Sequence, residues 1–82
     1  MTDQAALRQA ILDRVAALRP GTTCCPSEIV RTLADDWRPL MDDVRAAAAA
    51  LSEQGEITVT QGGQAVDPRR AKGPIRLGPR EA

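Results

Sequence analysis

The core of this chain has to be built almost without aromatic side chains. Its 82 residues include one Trp, no Phe and no Tyr, and 14 of its apolar residues are Ala. A chain of this length forms at most one domain and buries only about two-thirds of the surface that its unfolded form exposes. We therefore expect a single domain over residues 1–82 with a thin core, an ordered part at about 4–77 and a flexible tail at 78–82.

The charge balance favours a folded protein. The short apolar runs and the sequence of the N-terminus argue against membrane targeting. Lys and Arg number 11, as do Asp and Glu, so the large net charge that accompanies disorder is missing. No apolar run approaches the roughly 20 residues of a membrane span. The start, Met1-Thr2-Asp3-Gln4, lacks the basic flank and apolar core of a signal peptide. We expect a cytoplasmic protein that does not contact membranes.

Missing residue types exclude several classes of catalytic and metal site. The chain has no His, which excludes Ser–His and Cys–His catalysis. Cys24 and Cys25 are adjacent, a spacing at which cysteines rarely bridge, and they are too few for a structural zinc site. Stacking of single-stranded bases normally uses Phe or Tyr, which are absent. We expect a protein that is not an enzyme and that holds neither a metal nor a cofactor.

Apolar periodicity predicts three helices in the first two-thirds of the chain. The first covers residues 3–18, the second starts at Pro26 with Cys25 as N-cap, and the third runs from Trp37 or Pro39 to Gln54. Gly55 stands where a glycine commonly ends a helix. The predicted core stripes are Leu7, Ile11, Val15 and Leu18 in the first helix, Ile29, Val30 and Leu33 in the second, and Leu40, Val44, Ala47, Ala48 and Leu51 in the third.

The remainder of the chain has the pattern of β structure. Residues 57–60 alternate β-branched residues, and Gly62-Gly63 is a two-residue hairpin signal before the return at residues 64–66. A loop at residues 67–73, here called the basic loop, precedes a final alternating segment at residues 75–77. The order of these elements predicts an α+β winged helix–turn–helix, with three helices followed by a β-hairpin wing.

A family resemblance supports the same interpretation. The segments that carry it are Cys25-Pro26-Ser27-Glu28-Ile29-Val30-Arg31, Trp37-Arg38-Pro39-Leu40-Met41, Val44-Arg45-Ala46-Ala47, Gly55-Glu56-Ile57, Val59-Thr60-Gln61 with Gly63, Val66-Asp67-Pro68 and Gly73-Pro74-Ile75-Arg76-Leu77. In this order they resemble DUF3253, a bacterial domain family of unknown function, over about residues 7–77. The resemblance implies a winged-helix-like fold in a small bacterial protein, and it implies no particular activity, substrate or site residue.

Basic residues are concentrated near the C-terminus, which favours contact with duplex DNA. Residues 1–60 hold six Arg against nine acidic residues, whereas residues 61–82 hold five basic residues against two acidic ones. A basic patch attracts duplex DNA because phosphate contacts release counterions. The candidate phosphate contacts of the wing are Arg69, Arg70, Lys72 and Arg76, and those of the third helix are Arg38 and Arg45. The alternative is a solvated loop that protects a sheet edge.

The solvent face of the third helix favours a second kind of partner. Arg38 and Asp42 are spaced for an ion pair, as are Asp42 and Arg45, so this face is nearly neutral. Ala46 and Ala49 on the same face leave room for a partner helix to approach. The alternative function is therefore a protein-interaction domain, binding another protein or a second copy of the chain through this Ala-rich exposed face.

Two further features have an ordinary structural explanation and a less common functional one. The pairs Asp35-Asp36 and Asp42-Asp43 flank a helix start, where carboxylates stabilise unpaired N–H groups, so capping is favoured over acid–base or metal chemistry. Cys25 at a helix N-terminus, with Cys24 beside it, fits a redox sensor, although a capping cysteine is commoner. Trp37 is expected to anchor the core at the entry of the third helix.

Overall fold

The structure is a computed structural model and describes residues 3–80. This part of the chain contains three α-helices, α1 (Gln4–Ala16), α2 (Pro26–Arg31) and α3 (Met41–Glu53). It also contains three strands, β1 (Ile57–Gln61), β2 (Gln64–Ala65) and β3 (Arg76–Pro79), which form one antiparallel sheet in the order β2-β1-β3. The prediction of an α+β fold with three helices followed by a small antiparallel sheet is confirmed.

Helix α1 is amphipathic and ends earlier than the sequence predicts. Asp3 is its N-cap, and the Asp3 carboxylate accepts a hydrogen bond from the N–H of Ala5 at 3.0 Å. Leu7, Ile11 and Val15 are buried, as the stripe predicts. The helix ends at Ala16, two residues before the predicted end, and the Leu18 that follows is only half-buried.

Helix α2 starts at Pro26, as predicted, but is short. The N–H of Cys25, the predicted N-cap, donates to the Glu28 carboxylate at 3.3 Å, so Glu28 provides an acceptor at the start of the helix. Ile29 and Val30 are buried. The placement of Leu33 in the core was wrong, because α2 ends at Arg31 and leaves Leu33 45% exposed in the following turn.

Helix α3 lies at the centre of the molecule, in contact with α1, α2 and β1. A short 3₁₀ helix at Arg38–Leu40 precedes it, so the predicted single helix from Trp37 or Pro39 is two segments. Pro39 lies in the first turn of the 3₁₀ helix, where its missing N–H costs nothing. The buried residues of α3 on the core side are Val44, Ala47, Ala48 and Leu51.

The sheet is joined by a tight turn and extends further than predicted. Gly62 and Gly63 have φ of 61° and 82°, and both values favour glycine, so the predicted two-residue turn is confirmed. β3 pairs with β1 from Thr60 opposite Arg76 to Ile57 opposite Pro79. On its other side, Leu77 forms an isolated bridge with Cys24.

The prediction of a flexible tail starting at residue 78 was wrong for its first two residues. Gly78 is buried and Pro79 completes the pairing of β3 with β1. A Cβ at Gly78 would lie 3.1 Å from the Thr58 hydroxyl, so the absence of a side chain lets the two strands and the segment at Thr23 pack closely. The last two residues of that predicted tail, 81 and 82, lie outside the described residues.

A single hydrophobic core lies between the three helices and the sheet. β1 contributes Ile57 and Val59, and Ile75 and Leu77 add buried aliphatic side chains from the final segment. Trp37 is half-buried and packs against the edge of this core, which agrees with its predicted role as an anchor. Within residues 3–80, no helix is both long enough and apolar enough to cross a membrane.

Candidate functional site

The basic loop folds back onto α3 and is held there by Arg45. The Arg45 guanidinium donates to the carbonyl of Ala71 at 3.0 Å and to the carbonyl of Gly73 at 2.6 Å. Arg45 is 26 and 28 residues away from these acceptors in the sequence. An arginine that we predicted as a solvent-facing DNA contact therefore fixes the position of a distant loop.

Contacts at both ends of the basic loop complete its attachment. Arg69 forms an ion pair with Glu53 of α3 at 2.6 Å. The Gln61 amide donates to the carbonyl of Lys72 at 2.6 Å and to the carbonyl of Pro74 at 3.1 Å, which ties the loop to the end of β1. The loop is therefore attached to α3 and to the sheet by side chains that donate to its backbone or pair with its charges.

The loop also has an internal turn. The carboxylate of Asp67 accepts from the N–H of Arg69 at 2.9 Å, and the carbonyl of Asp67 accepts from the N–H groups of Arg70 at 3.0 Å and Ala71 at 2.9 Å. Pro68 is fully buried. These contacts make residues 67–71 a compact turn that is closed by Asp67.

The predicted Ala-rich exposed face of the third helix is not exposed at Ala49. Ala49 is 1% exposed and stands outside the hydrophobic core cluster, one turn from both Arg45 and Glu53, the two α3 residues that hold the basic loop. Ala46 is half-buried. The expectation of an exposed side chain was wrong at Ala49, because a helical pattern shows which side avoids the core but not which positions later segments of the chain will bury.

The six basic residues predicted to contact DNA fall into different environments. Arg45 and Arg69 are used in attaching the basic loop. Arg76 points to the opposite edge of the sheet, where it donates to the hydroxyl and the carbonyl of Thr23 at 2.9 and 2.8 Å. The structure therefore does not bring these five arginines and one lysine together in one patch.

Two of the six, Arg70 and Lys72, leave their charges in solvent on the basic loop. The Arg70 side chain is 90% exposed, and its nearest carboxylate, that of Asp67, lies 3.9 Å away. Lys72 is exposed, and it forms no ion pair within residues 3–80. These two cations stand on a loop whose backbone is fixed by Arg45 and Gln61.

The predicted ion pairs on the first turns of α3 do not form. Within residues 3–80, Asp42 makes no ion pair with Arg38 or Arg45. Arg45 instead donates to the loop carbonyls. Asp42 and Asp43 lie in the first turn of α3, the position in which the helix dipole stabilises a carboxylate.

Arg38 lies against the indole of Trp37, and so does a second arginine that sequence reasoning missed. The guanidinium carbon of Arg38 is 4.9 Å from the ring centroid, and that of Arg31, at the end of α2, is 4.8 Å from it. The signal available in the sequence was the single Trp with arginines on both sides, but the turn between α2 and α3 had to be known to bring Arg31 to the ring.

The two cysteines have different surroundings. Cys24 is fully buried, and burial, with a smaller effect of the nearby Glu28 carboxylate, raises the pKa of its thiol above the ordinary value of 9.0. Cys25 is half-buried with its Sγ 3.0 Å from the Ser27 hydroxyl, and both cysteines are free thiols. A raised pKa disfavours the reactive thiolate, so Cys24 is poorly suited to be the partner of a redox-active Cys25.

The comparison with protein families identifies the chain. A family model described as "Protein of unknown function (DUF3253)" matches residues 4–80, nearly the whole chain. The chain belongs to the DUF3253 family. The resemblance noted in the sequence is thereby confirmed, and the DUF3253 match covers α1, the basic loop and the sheet alike. Among proteins with curated descriptions, none matches this DUF3253 chain.

Proposed function

We propose that this protein is a winged helix–turn–helix module that binds duplex DNA through its basic loop. The order of elements supports the fold: α2, the 3₁₀ helix and α3 correspond to the helix–turn–helix. β1 and β3 correspond to the strands of the wing, and the Cys24–Leu77 bridge corresponds to the short strand that pairs with the wing from outside. Between these two strands, the remainder of the wing comprises the β1–β2 turn, β2 and the basic loop.

The observation that carries the proposal is the exposure of Arg70 and Lys72 on an anchored loop. Both cations are exposed, and within residues 3–80 the one ion pair that involves either of them joins Arg70 to Asp67 at 3.9 Å. Because Arg45 and Gln61 hold the loop backbone, the loop does not have to become ordered when it binds. Cations presented in this way release counterions from duplex DNA at little entropic cost.

The same geometry argues that the protein does not read base sequence with α3. A recognition helix presents its side chains to base edges in the major groove. Here Ala49 is buried, and the donors of Arg45, one turn before it, are already used by carbonyls of the basic loop. The proposed contacts are therefore with phosphates, which position a protein on DNA but carry no sequence information.

The test is a salt titration of binding to short labelled DNA duplexes, followed by fluorescence anisotropy. The variant Arg70→Gln/Lys72→Gln removes the two exposed cations, and Arg19→Gln/Arg80→Gln is the matched control. Arg19 and Arg80 are both exposed, and neither belongs to the basic loop; Arg80 borders a groove that is lined by residues of α1 and by Glu56. Each phosphate contact contributes about 0.9 to the slope of log K against log salt, so the loop variant is expected to lose about 2 from the slope.

The outcomes separate the two kinds of partner. Equal affinity for duplexes of unrelated sequence, together with the lower slope in the loop variant only, supports the proposal. A native protein that does not bind duplex DNA even at low salt contradicts it, since phosphate contacts are strongest there. In that case Ala46→Glu, which places a charge on the half-buried part of α3, tests the alternative that a protein partner or a second copy binds this helix.

A further inference from the structure

We propose that Arg31 and Arg38, stacked on Trp37, form a second site for DNA phosphates at the junction of α2 and α3. This inference rests on the proposed function and adds to it a contact outside the basic loop. The guanidinium carbons of both arginines lie over one indole, at 4.8 and 4.9 Å from the ring centroid, which is within the range of cation–π interactions. Such a stack holds two flexible arginines at one place on the surface.

Stacking leaves the hydrogen-bonding groups of these arginines available. A guanidinium stacks through its face, whereas its five N–H donors point outward in its plane. Within residues 3–80, neither the Arg31 nor the Arg38 side chain donates a hydrogen bond or forms an ion pair. This distinguishes them from Arg45, Arg69 and Arg76, whose donors are engaged by the protein. Planar N–H pairs of this kind match the oxygens of a phosphate.

The stack lies on the segment that leads directly into the helix carrying the loop anchor. Arg38 belongs to the 3₁₀ helix Arg38–Leu40, which runs into α3, and Arg45, which anchors the basic loop, lies in the second turn of α3. Arg38 and the anchor of the basic loop are therefore carried by consecutive helical segments.

Two neighbouring carboxylates oppose the site and provide an internal check. Asp35 and Asp36 are exposed in the turn between Arg31 and Arg38, and neither forms an ion pair within residues 3–80. Their charges repel a phosphate that approaches the stack, over a range of about 10 Å at moderate salt. Asp35→Asn/Asp36→Asn is therefore expected to tighten binding, with the larger gain at low salt.

The experiment uses the full chain, a labelled DNA duplex and the emission of Trp37, the single Trp of the sequence. Native protein, Arg31→Gln/Arg38→Gln and the control Arg19→Gln/Arg80→Gln are titrated over a range of salt. Circular dichroism confirms that each variant is folded. The expected result is a change in Trp37 emission when native protein binds DNA, and a salt slope about 2 lower in Arg31→Gln/Arg38→Gln than in the control.

A third variant separates charge from stacking. Arg31→Lys/Arg38→Lys keeps both positive charges but replaces planar groups by compact ammonium ions. It is expected to retain the native salt slope and to bind less tightly than native protein, whereas a merely structural role of the stack would leave the slope unchanged in all three variants.

The results that overturn this inference differ from those that overturn the proposed function. If native protein binds DNA and Arg31→Gln/Arg38→Gln keeps the native slope, the second site is refuted while the basic loop stands. If the glutamine variant does not fold, unchanged Trp37 emission during binding by native protein refutes the site. If native protein does not bind duplex DNA at all, both proposals are refuted together.

Discussion

Helix α3 is covered on two sides, and the two covers are built differently. On one side Val44, Ala47, Ala48 and Leu51 pack into the hydrophobic core. On the other side Ala49 is buried between Arg45 and Glu53, and polar groups of α3 and β1 hold the basic loop there. Apolar burial is cooperative with the whole fold, whereas the polar cover consists of a few contacts that can be removed one at a time. The difference suggests which parts of the molecule can change without unfolding it.

The largest effect on stability is expected from glutamate substitutions at two adjacent alanines that lie on the two buried sides of α3. Ala48 and Ala49 are both buried, at 0% and 1% exposure, but Ala48 belongs to the core, whereas Ala49 lies one turn from Arg45 and Glu53, which attach the basic loop. Ala48→Glu buries an unpaired carboxylate, which costs several kcal/mol and unfolds a domain of this size. Ala49→Glu displaces the loop at a cost of about 1–2 kcal/mol, because the loop is attached through a few hydrogen bonds.

Two-dimensional amide NMR spectra check this pair of substitutions. Ala49→Glu is expected to shift amides of residues 67–73 and their anchors while the spectrum stays dispersed, and Ala48→Glu is expected to give the spectrum of an unfolded chain. If both substitutions unfolded the chain, the loop would be part of the cooperative core. The proposed difference between the two sides of α3 would then be wrong.

A smaller effect is expected when the main anchor of the loop is removed. Arg45→Met keeps the aliphatic part of the side chain but loses the hydrogen bonds to the carbonyls of Ala71 and Gly73. Hydrogen bonds from charged donors contribute about 1.5–3 kcal/mol, with the lower end expected for a half-exposed site. Hydrogen exchange at the Ala71 amide should accelerate roughly tenfold, since each 1.4 kcal/mol is a factor of ten.

The control for this measurement is an amide on the core side. Exchange at Leu51, which is buried in the core, should stay close to the native rate in Arg45→Met. Equal acceleration at Leu51 and Ala71 would mean that Arg45 stabilises the whole fold.

Alkaline pH is expected to lower the free energy of unfolding through Cys24, which lies in the core. The pKa of Cys24 is raised above 9.0 in the folded protein because its thiol is buried. Between 9.0 and the raised value the unfolded chain has released this proton and the folded chain has kept it, so the free energy of unfolding falls as pH rises. The decrease is at most about 1.4 kcal/mol per pH unit, and this contribution is fully present below that range.

Urea unfolding of native protein and Cys24→Ala at several pH values checks this dependence. The difference between the two free energies of unfolding should be constant up to pH 9.0 and should then narrow with increasing pH. A difference that does not change with pH would contradict the link between burial of Cys24 and alkaline stability.

The smallest effect is expected from the ion pair between Arg69 and Glu53. Although the pair is close, at 2.6 Å, the two side chains are 48% and 66% exposed. Exposed pairs contribute about 0.2–1 kcal/mol because water and salt screen them. A double-mutant cycle with Arg69→Gln and Glu53→Gln, measured at low and high salt, should give a coupling energy in this range that decreases with salt. A larger coupling would place the pair among the main supports of the loop.

The features that could be predicted from the sequence are those that depend on neighbours in the chain. The stripe of Leu7, Ile11 and Val15 is buried as its spacing indicates, and Gly62-Gly63 forms the two-residue turn. Leu33 was misplaced because apolar spacing alone does not show where a helix ends, and α2 ends two residues before it. Gly78 was misplaced because its fit against Thr58 depends on a strand twenty residues away.

The candidate site was less predictable because its contacts join distant parts of the chain. Arg45 was correctly placed off the core side of the third helix, but its acceptors are 26 and 28 residues away. Arg31 could not be connected with Trp37 and Arg38 until the turn after α2 brought it to the ring. Composition placed the basic charges near the C-terminus, but it could not separate Arg70 and Lys72 from the arginines that bind other parts of the protein.

The sequence by itself determined that the chain forms three helices followed by a small sheet, because helical stripes, β-branched alternation and a glycine turn act over a few residues. It also determined the family, since the matching segments run from residue 4 to residue 80. Only the tertiary structure decided that Ala49 is buried, that Arg45 anchors the basic loop, and that two arginines share one indole. The partners of long polar side chains depend on proximity in space, and that proximity exists only after the core has formed.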